Sequence, residues 1–323
     1  MLENFINQFW PSTVDGLSLG AIYALVALGY TMVYGVLRLI NFAHSEIFMI
    51  GTVAALFTVT TVGVSAPLGG LGLVGMVVVL ALIGAVASGS AAVALEYVAY
   101  RPLRRHGASR LAALISAIGA SLFLQQLFAL VVIPRLFDRP QEGGRLPVQS
   151  PEFVRRVDII SIGDFVVRND KLLVVLSAVL MMVALDQFVR RTKLGRGIRA
   201  TAQDPETAVL MGVNIDRIVT ATFAIGGAMA GIAAALYLMR FESTDYFVGF
   251  LLGIKAFTAA VLGGIGNLRG ALVGGFALGL IELYGSALLG SEWRDVVAFS
   301  VLVLVLMFRP TGILGESLQR ARA

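Results

Sequence analysis

The chain has 323 residues, of which 58% are hydrophobic and 14% are charged, which excludes a soluble domain because its surface would need far more charge. The absence of cysteine excludes disulfides and thiolate metal sites, and 2 histidines are too few for a histidine-built metal centre. The formal net charge of +5 does not indicate nucleic-acid binding, since basic residues cluster at the edges of apolar runs, where membrane topology alone requires them.

Eight apolar runs are long enough, or nearly so, to cross a bilayer, which takes about 20 helical residues. In chain order they cover residues 12–35, 42–63, 70–98, 111–133, 172–189, 218–239, 270–289 and 293–308. A ninth run, 249–264, is shorter and ends in a Gly-Gly-Ile-Gly break at 263–266. The sequence therefore predicts an all-α, polytopic transmembrane helical bundle of about eight to nine apolar segments, forming a single domain over residues 1–323.

Basic residues concentrate in three segments between or after the runs: 101–110, 190–217 and the tail from Arg309. Such segments are typical of the cytoplasmic side. If all nine runs cross, the N-terminus lies outside and the C-terminus lies in the cytoplasm. Run 12–35 lacks a basic n-region and a cleavage site, so we expect a retained span rather than a signal peptide.

Two connecting segments are long under this orientation. The external loop 134–171 contains four of the 9 prolines and is either a structured cap or a mobile loop. The cytoplasmic loop 190–217 contains Asp204-Pro205-Glu206, which predicts the start of a short helix: an N-cap acceptor, a proline at the first position and a glutamate in the first turn. Ala208 continues this helix and Gly212 ends it. By its shape alone, the helix is either a functional element or a plain amphipathic connector.

Glycines recur at a spacing of four within the apolar runs, which allows helix backbones to approach closely. The pairs are Gly16 and Gly20, Gly227 and Gly231, Gly249 and Gly253, and Gly275 and Gly279. They indicate either tight packing within one subunit or a subunit interface.

Ionisable residues are rare inside membrane spans and usually face protein or water. We expect Asn41 to be an N-cap that shares a helix face with His44, while Glu46 points elsewhere. His44 and Glu46 form interhelical hydrogen bonds or line a transport pathway. Lys255 and Glu282 lie at matching depth on neighbouring segments and are expected to form an ion pair or a polar network, as a packing tie or with a role in transport.

Two further patterns indicate what the chain does not do. Gly70, Gly72 and Gly75 match G-x-G-x-x-G, but no strand precedes them, so nucleotide binding is not expected. The chain also lacks the G-x-x-x-x-G-K-[ST] motif. The carboxylates Glu46, Glu96 and Glu282 lie on different segments at different depths, so they do not form a catalytic constellation; Glu96 is expected to pair with Arg101 or Arg104.

Residues 206–212, Glu-Thr-Ala-Val-Leu-Met-Gly, resemble the E-A-A-x-x-x-G loop of ABC importer permeases, with Thr207 replacing the middle alanine. Residues 16–51, 96–104 and 253–266 are similar to the branched-chain amino acid permease group within that family. Two departures are Ser45, where the group more often has glycine, and Tyr97, where it more often has arginine. Ser45 is expected to alter local packing beside His44.

The resemblance implies a permease subunit of the bacterial inner membrane that carries branched-chain or related hydrophobic amino acids inward and does not hydrolyse ATP itself. In that family the loop forms a coupling helix that docks on the ATPase, which would make Asp204, Pro205, Glu206, Ala208 and Gly212 the coupling residues. The implied partners are two ATP-binding cassette subunits, a second permease subunit and an external substrate-binding protein, with no cofactor. Transport of urea, short amides or other small solutes stays open, as does an ion-coupled secondary transporter.

Overall fold

The computed structural model describes residues 2–64, 66–138, 144–162 and 165–315, and these residues form a helical bundle. The helices, numbered in chain order, are α1 (Leu2–Leu37), α2 (His44–Val62), α3 (Gly70–Leu95), α4 (Arg101–Arg105), α5 (Arg110–Leu127), α6 (Ile133–Leu136), α7 (Asn169–Arg191), α8 (Lys193–Gln203), α9 (Pro205–Leu210), α10 (Ile215–Phe241), α11 (Val248–Gly263), α12 (Leu268–Leu289) and α13 (Arg294–Phe308). One π-helical turn, Glu96–Tyr100, joins α3 to α4, and another, Phe128–Val132, joins α5 to α6.

Among the described residues, four short strands lie outside the bundle. They are β1 (Val148–Gln149), β2 (Asp158–Ile162), β3 (Phe165–Arg168) and β4 (Ser243–Thr244). Strand β1 pairs antiparallel with β4, and β2 pairs antiparallel with β3. A 3₁₀ turn, Ser291–Trp293, precedes α13.

Within the described residues, 7 helices are long and apolar enough to cross a membrane by length and composition. These helices confirm the predicted all-α polytopic bundle, but not the predicted count of eight to nine spans. Helix α11 has 16 residues and α13 has 15, although run 293–308 was counted among the longer ones. At 1.5 Å per residue, a helix of that length falls short of a hydrocarbon core of about 30 Å.

Helix α1 forms the centre of the bundle. The most apolar 18-residue stretch of α1 is 94% buried within the chain. The corresponding stretches of the helical segments Arg110–Leu136 and Asn169–Arg191 are only 22% buried. A helix that is apolar all round and buried all round belongs to a core, while an apolar helix with exposed sides needs lipid or another subunit. The outer helices therefore present the apolar surface that a bilayer requires.

The predicted glycine pairs pack within this chain. A Cβ built at Gly20 would lie 2.5 Å from the carbonyl oxygen of Gly275, and one built at Gly231 would lie 2.1 Å from that of Gly84. The pair in α11 packs in the same way against Ser45, which therefore fills space that Gly249 and Gly253 leave open. The prediction of tight packing within one subunit is confirmed.

Replacing Gly231 by alanine is expected to lower the free energy of unfolding by about 1–3 kcal/mol, because the added methyl group must push α10 away from α3. Gly119 is the matched control: it also lies within an apolar helix, and a Cβ there meets nothing within 4 Å. Gly119→Ala should leave stability unchanged or raise it slightly, by up to about 1 kcal/mol. Thermal unfolding in detergent measures both variants, and equal melting temperatures would contradict the account of packing.

The described part of the 134–171 loop is structured. Phe153 is fully buried, and its carbonyl accepts a hydrogen bond of 2.9 Å from the backbone N–H of Leu68. The pairing of β1 with β4 holds the loop to the end of α10. These contacts favour the cap over the mobile loop, while residues 139–143 and 163–164 of this loop and residues 316–323 of the tail lie outside the described residues.

Candidate functional site

The predicted short helix in the 190–217 loop is present as α9. The Asp204 side chain accepts hydrogen bonds from the backbone N–H groups of Glu206 at 3.0 Å and Thr207 at 3.2 Å. Pro205 occupies the first helical position, where its missing N–H costs nothing. The predicted N-terminus of this helix is therefore confirmed.

The end of α9 is also as predicted. Gly212 has a φ of +82°, a left-handed conformation that costs glycine little. The backbone N–H of Val213 donates to the carbonyl of Ala208 at 3.0 Å, which closes the last turn. Ala208 is buried, on the side of α9 that packs against α8 and the start of α10.

The outer side of α9 carries two large apolar side chains that sequence reasoning missed as functional candidates. Leu210 is 85% exposed and Met211 is 80% exposed. The sequence did contain a signal for them, because two neighbouring apolar residues are unusual in a loop that is rich in charged residues. An exposed apolar tip on a short capped helix is a surface suited to a protein partner.

Thr207, which replaces the alanine of the resembled motif, strengthens the cap. Its hydroxyl donates to the second carboxylate oxygen of Asp204. This hydrogen bond, followed by those from backbone N–H groups, lowers the pKa of Asp204 below its usual value. Because the pKa is lower in the folded state, the contribution of the cap to the free energy of unfolding is fully present above the unfolded-state pKa. It is lost only as the pH falls through the folded-state pKa. The stabilisation that the cap provides is therefore constant around neutral pH.

Both sides of α9 are tied to the bundle. Before α9, the Arg38 guanidinium at the end of α1 donates to the carbonyl of Ala202 at 3.0 Å. After α9, Asp216 in the first turn of α10 accepts hydrogen bonds from Arg101 at 3.2 Å, Arg104 at 2.6 Å and Arg105 at 2.9 Å. A displacement of α9 therefore reaches both α1 and α4 through short polar contacts.

The same arginine cluster contains Glu96, which lies buried in the π-helical turn before α4. Its carboxylate accepts from Arg104 at 3.2 Å and from the Thr220 hydroxyl at 3.0 Å. The predicted pairing of Glu96 with Arg101 or Arg104 is thus confirmed for Arg104. π-helical turns of this kind are frequent at functional sites.

The predicted contact between Lys255 and Glu282 is also present, at 2.9 Å between Nζ and Oε1. Lys255 is 6% exposed and Glu282 is 0% exposed. Three residues that the sequence did not indicate complete the network: Tyr23 donates to Glu282 at 2.9 Å, Arg294 donates to Glu282 at 2.6 Å, and Asp295 pairs with Lys255 at 2.6 Å.

This network joins α11, α12 and α13 through two basic and two acidic side chains, and α1 through the hydroxyl of Tyr23. Buried charges are costly unless opposite charges and hydrogen bonds compensate them, and here each charge has at least one partner. The network therefore fixes the relative positions of the two short helices, α11 and α13, against α1 and α12.

The prediction for Asn41 is wrong in two respects. Helix α2 begins at His44, so Asn41 lies before the helix and shares no helix face with His44. Its side chain does not cap the helix but accepts a hydrogen bond of 2.9 Å from the hydroxyl of Tyr100. The backbone N–H of His44 reaches the Asn41 carbonyl instead, at 3.1 Å. A partner from a distant helix has replaced the local capping bond.

Glu46 forms the predicted interhelical hydrogen bonds. Its Oε1 atom accepts from Ser121 at 3.0 Å and Gln125 at 2.9 Å, both on α5, and from Ser45 at 3.1 Å. His44 is buried in a different setting, against the Tyr30 ring at a centroid distance of 4.7 Å. Its Nε2 atom makes no hydrogen bond to the described residues. The His44 ring does form a hydrogen bond to the backbone of Val26 on α1, so interhelical hydrogen bonding is confirmed for both Glu46 and His44.

The chain matches a family model described as the permease component of branched-chain amino acid transport systems, over residues 12–306. It is 42% identical over 313 residues to the high-affinity branched-chain amino acid transport system permease protein BraD of Pseudomonas aeruginosa, covering 96% of this chain and 97% of that one. It is 40% identical over 323 residues to the corresponding protein LivH of Escherichia coli K12, covering 98% of each. The chain therefore belongs to the family of permease components of branched-chain amino acid transport systems.

Proposed function

We propose that this chain is the permease subunit of an ABC importer that carries branched-chain or closely related hydrophobic amino acids inward across the bacterial inner membrane. The observation that carries the proposal is the identity of 40% and 42%, over nearly the full length, to permeases named for this transport. The capped helix α9 with its exposed apolar tip supports coupling to a separate ATPase. The partners are two ATP-binding cassette subunits, a second permease subunit and an external substrate-binding protein.

In this proposal the chain crosses the membrane nine times, with its N-terminus outside and its C-terminus in the cytoplasm. Contacts at one end of the bundle support this path. The end of α7 meets the start of α12 through Asp186 and Arg269, and the segment after α13 bonds to the end of α11, from Ile313 N–H to the Leu262 carbonyl. At the other end, Asp15 of α1 pairs with Lys171 of α7 and Arg240 of α10.

In the proposed path α11 and α13 run in the same direction through the bundle, and both short helices add crossings to the 7 long ones. Their charged contacts with Glu282 support such a path, because a short helix can pass through protein where it could not span lipid alone. Residues 134–171 then form the external loop, and residues 190–217 form the cytoplasmic coupling loop of one transmembrane domain covering 1–323.

The proposed site residues fall into two groups with different roles. The coupling group is Asp204, Pro205, Glu206, Ala208 and Gly212, to which the exposed Leu210 and Met211 are added. The polar group is Asn41, His44, Glu46, Lys255 and Glu282, which we assign to ties between helices rather than to the pathway wall. Their deep burial supports this role, since a pathway-lining group needs contact with water.

Reconstituted vesicles test the function. With the partner subunits assembled, leucine uptake should require both ATP and the external binding protein, since the permease itself lacks a nucleotide-binding motif. An excess of urea or acetamide should not compete with leucine. Uptake that ignores ATP and follows an ion gradient would reject the importer in favour of a secondary transporter.

A further inference from the structure

A cavity of about 310 Å³ lies beside α9, where the ends of several helices meet. The wall is apolar on the sides formed by α1, α4 and α10, with Val36, Leu103, Ile215 and Val219 among its residues. The polar residues of the lining are Tyr100, Arg104, Arg110 and Thr201, and Pro205 of α9 lines the cavity as well. The volume is at the lower end of the range of about 300–1,000 Å³ that is typical of small-molecule sites.

Thr201 is only 1% exposed, yet its hydroxyl has no hydrogen-bond partner among the described residues. Threonines in helices commonly donate to the carbonyl four residues earlier, as Thr222 does to Ile218 at 2.8 Å. Thr201 does not make this bond. An unpaired buried hydroxyl is unfavourable, so a ligand atom that pairs with it binds more tightly.

Arg104 carries a second unpaired group. Its Nη2 atom donates to Glu96 and Asp216, but its Nη1 atom is buried and has no partner among the described residues. Three guanidinium groups share the two carboxylates of this cluster, which leaves an excess of positive charge. No acidic side chain is among the described residues that line the cavity, so the carboxylate group of a ligand suits it.

We propose that this cavity binds a small aliphatic carboxylate, of the class of free branched-chain amino acids and the corresponding acids. The carboxylate pairs with Arg104 and the Thr201 hydroxyl, and the hydrocarbon part packs against the apolar wall. A planar guanidinium is the group that best recognises a carboxylate, and a wall of valine, leucine and isoleucine selects an aliphatic body.

Binding here also affects α9, because Pro205 lines the cavity and Arg104 holds Asp216, just beyond α9. A ligand would therefore stiffen the connection between α9 and the bundle. This consequence rests on the proposed function: with α9 in the cytoplasm, accumulated product in the cell occupies the cavity and slows further uptake. The binding itself does not depend on that function.

Ligand-induced thermal stabilisation of the purified full-length chain, with the subunits that copurify with it, tests the binding. L-leucine and isovalerate should raise the melting temperature, whereas glycine, which lacks the aliphatic body, and leucinamide, which lacks the carboxylate, should not. Thr201→Val removes the unpaired hydroxyl at constant shape, and Ala113→Leu fills the cavity from α5. Thr201→Val should weaken binding about tenfold and Ala113→Leu should abolish it, while the melting temperature without ligand is kept or raised.

Stabilisation by leucine that persists in both variants would place the ligand elsewhere and overturn the proposal. Stabilisation by added phosphatidylglycerol or a long-chain fatty acid, but not by leucine or isovalerate, would also overturn it, in favour of a lipid. If Ala113→Leu does not fold, Thr201→Val still decides the outcome. Failure of leucine uptake in vesicles with binding intact would reject the proposed function alone, and normal uptake without binding would reject this inference alone.

Discussion

Replacing Glu282 by glutamine is expected to lower the free energy of unfolding by about 3–5 kcal/mol, because it leaves the buried Lys255 ammonium with only the half-exposed Asp295 as counter-charge. Glu282 is fully buried and accepts from Lys255, Arg294 and Tyr23, so the substitution affects all four helices of the network at once. The measurement is thermal or denaturant-induced unfolding of the purified chain in detergent.

Asp295→Asn is the matched control for this prediction. Asp295 also pairs with Lys255, at 2.6 Å, but its side chain is 48% exposed, and exposed pairs contribute about 0–1 kcal/mol. Tyr23→Phe removes a single hydrogen bond to a charged group and should cost about 1.5–3 kcal/mol. If all three variants lost the same stability, the buried pair would not be the main tie between α11, α12 and α13.

Replacing both Leu210 and Met211 by aspartate is expected to reduce ATP-driven uptake by more than about tenfold. Burying a large apolar side chain contributes about 1.5–3 kcal/mol, so losing two such contacts at an ATPase interface exceeds the 1.4 kcal/mol that corresponds to a factor of ten. Both side chains are exposed in the isolated chain, so insertion and melting temperature should not change.

The matched control exchanges the two residues, Leu210→Met with Met211→Leu. It tests whether coupling needs these particular side chains or only an apolar surface at the tip of α9. It keeps the apolar surface, so uptake and the nucleotide dependence of the ATPase should stay close to those of the original chain. Normal uptake by the double aspartate variant would remove the exposed tip from the coupling mechanism.

Helix α9 was predictable because its signals are local. The cap, the proline and the terminating glycine all lie within residues 204–212, and each acts on its neighbours in sequence. Asn41 shows the opposite case. Its sequence context favoured a cap, but the hydroxyl of Tyr100, 59 residues away, competed successfully for its side chain. Tertiary partners of this kind leave no mark in a short window of sequence.

The buried ion pair of Lys255 and Glu282 was only partly predictable from the sequence. Lys255 and Glu282 were expected to meet because isolated charges inside a membrane are costly and their depths matched. Arg294 and Asp295 were missed, because the sequence places them at the edge of a run and only the fold directs them towards Glu282. The count of eight to nine spans is not confirmed for a related reason: length and composition identify 7 long helices among the described residues, and in the proposed path α11 and α13 cross only through contacts that the sequence does not show.

Helix α9 is proposed to face the cytoplasm and to transmit ATPase motion to the bundle. The chain contains no cysteine, so Met211→Cys provides a unique thiol at the exposed tip. A membrane-impermeant thiol cross-linker applied to the assembled complex in vesicles measures both the side and the neighbour of this residue. We predict a product with the ATPase subunit when the reagent reaches the cytoplasmic face and none when it reaches only the outer face. Reaction from the outer face, or no ATPase product from the cytoplasmic face, would contradict the account.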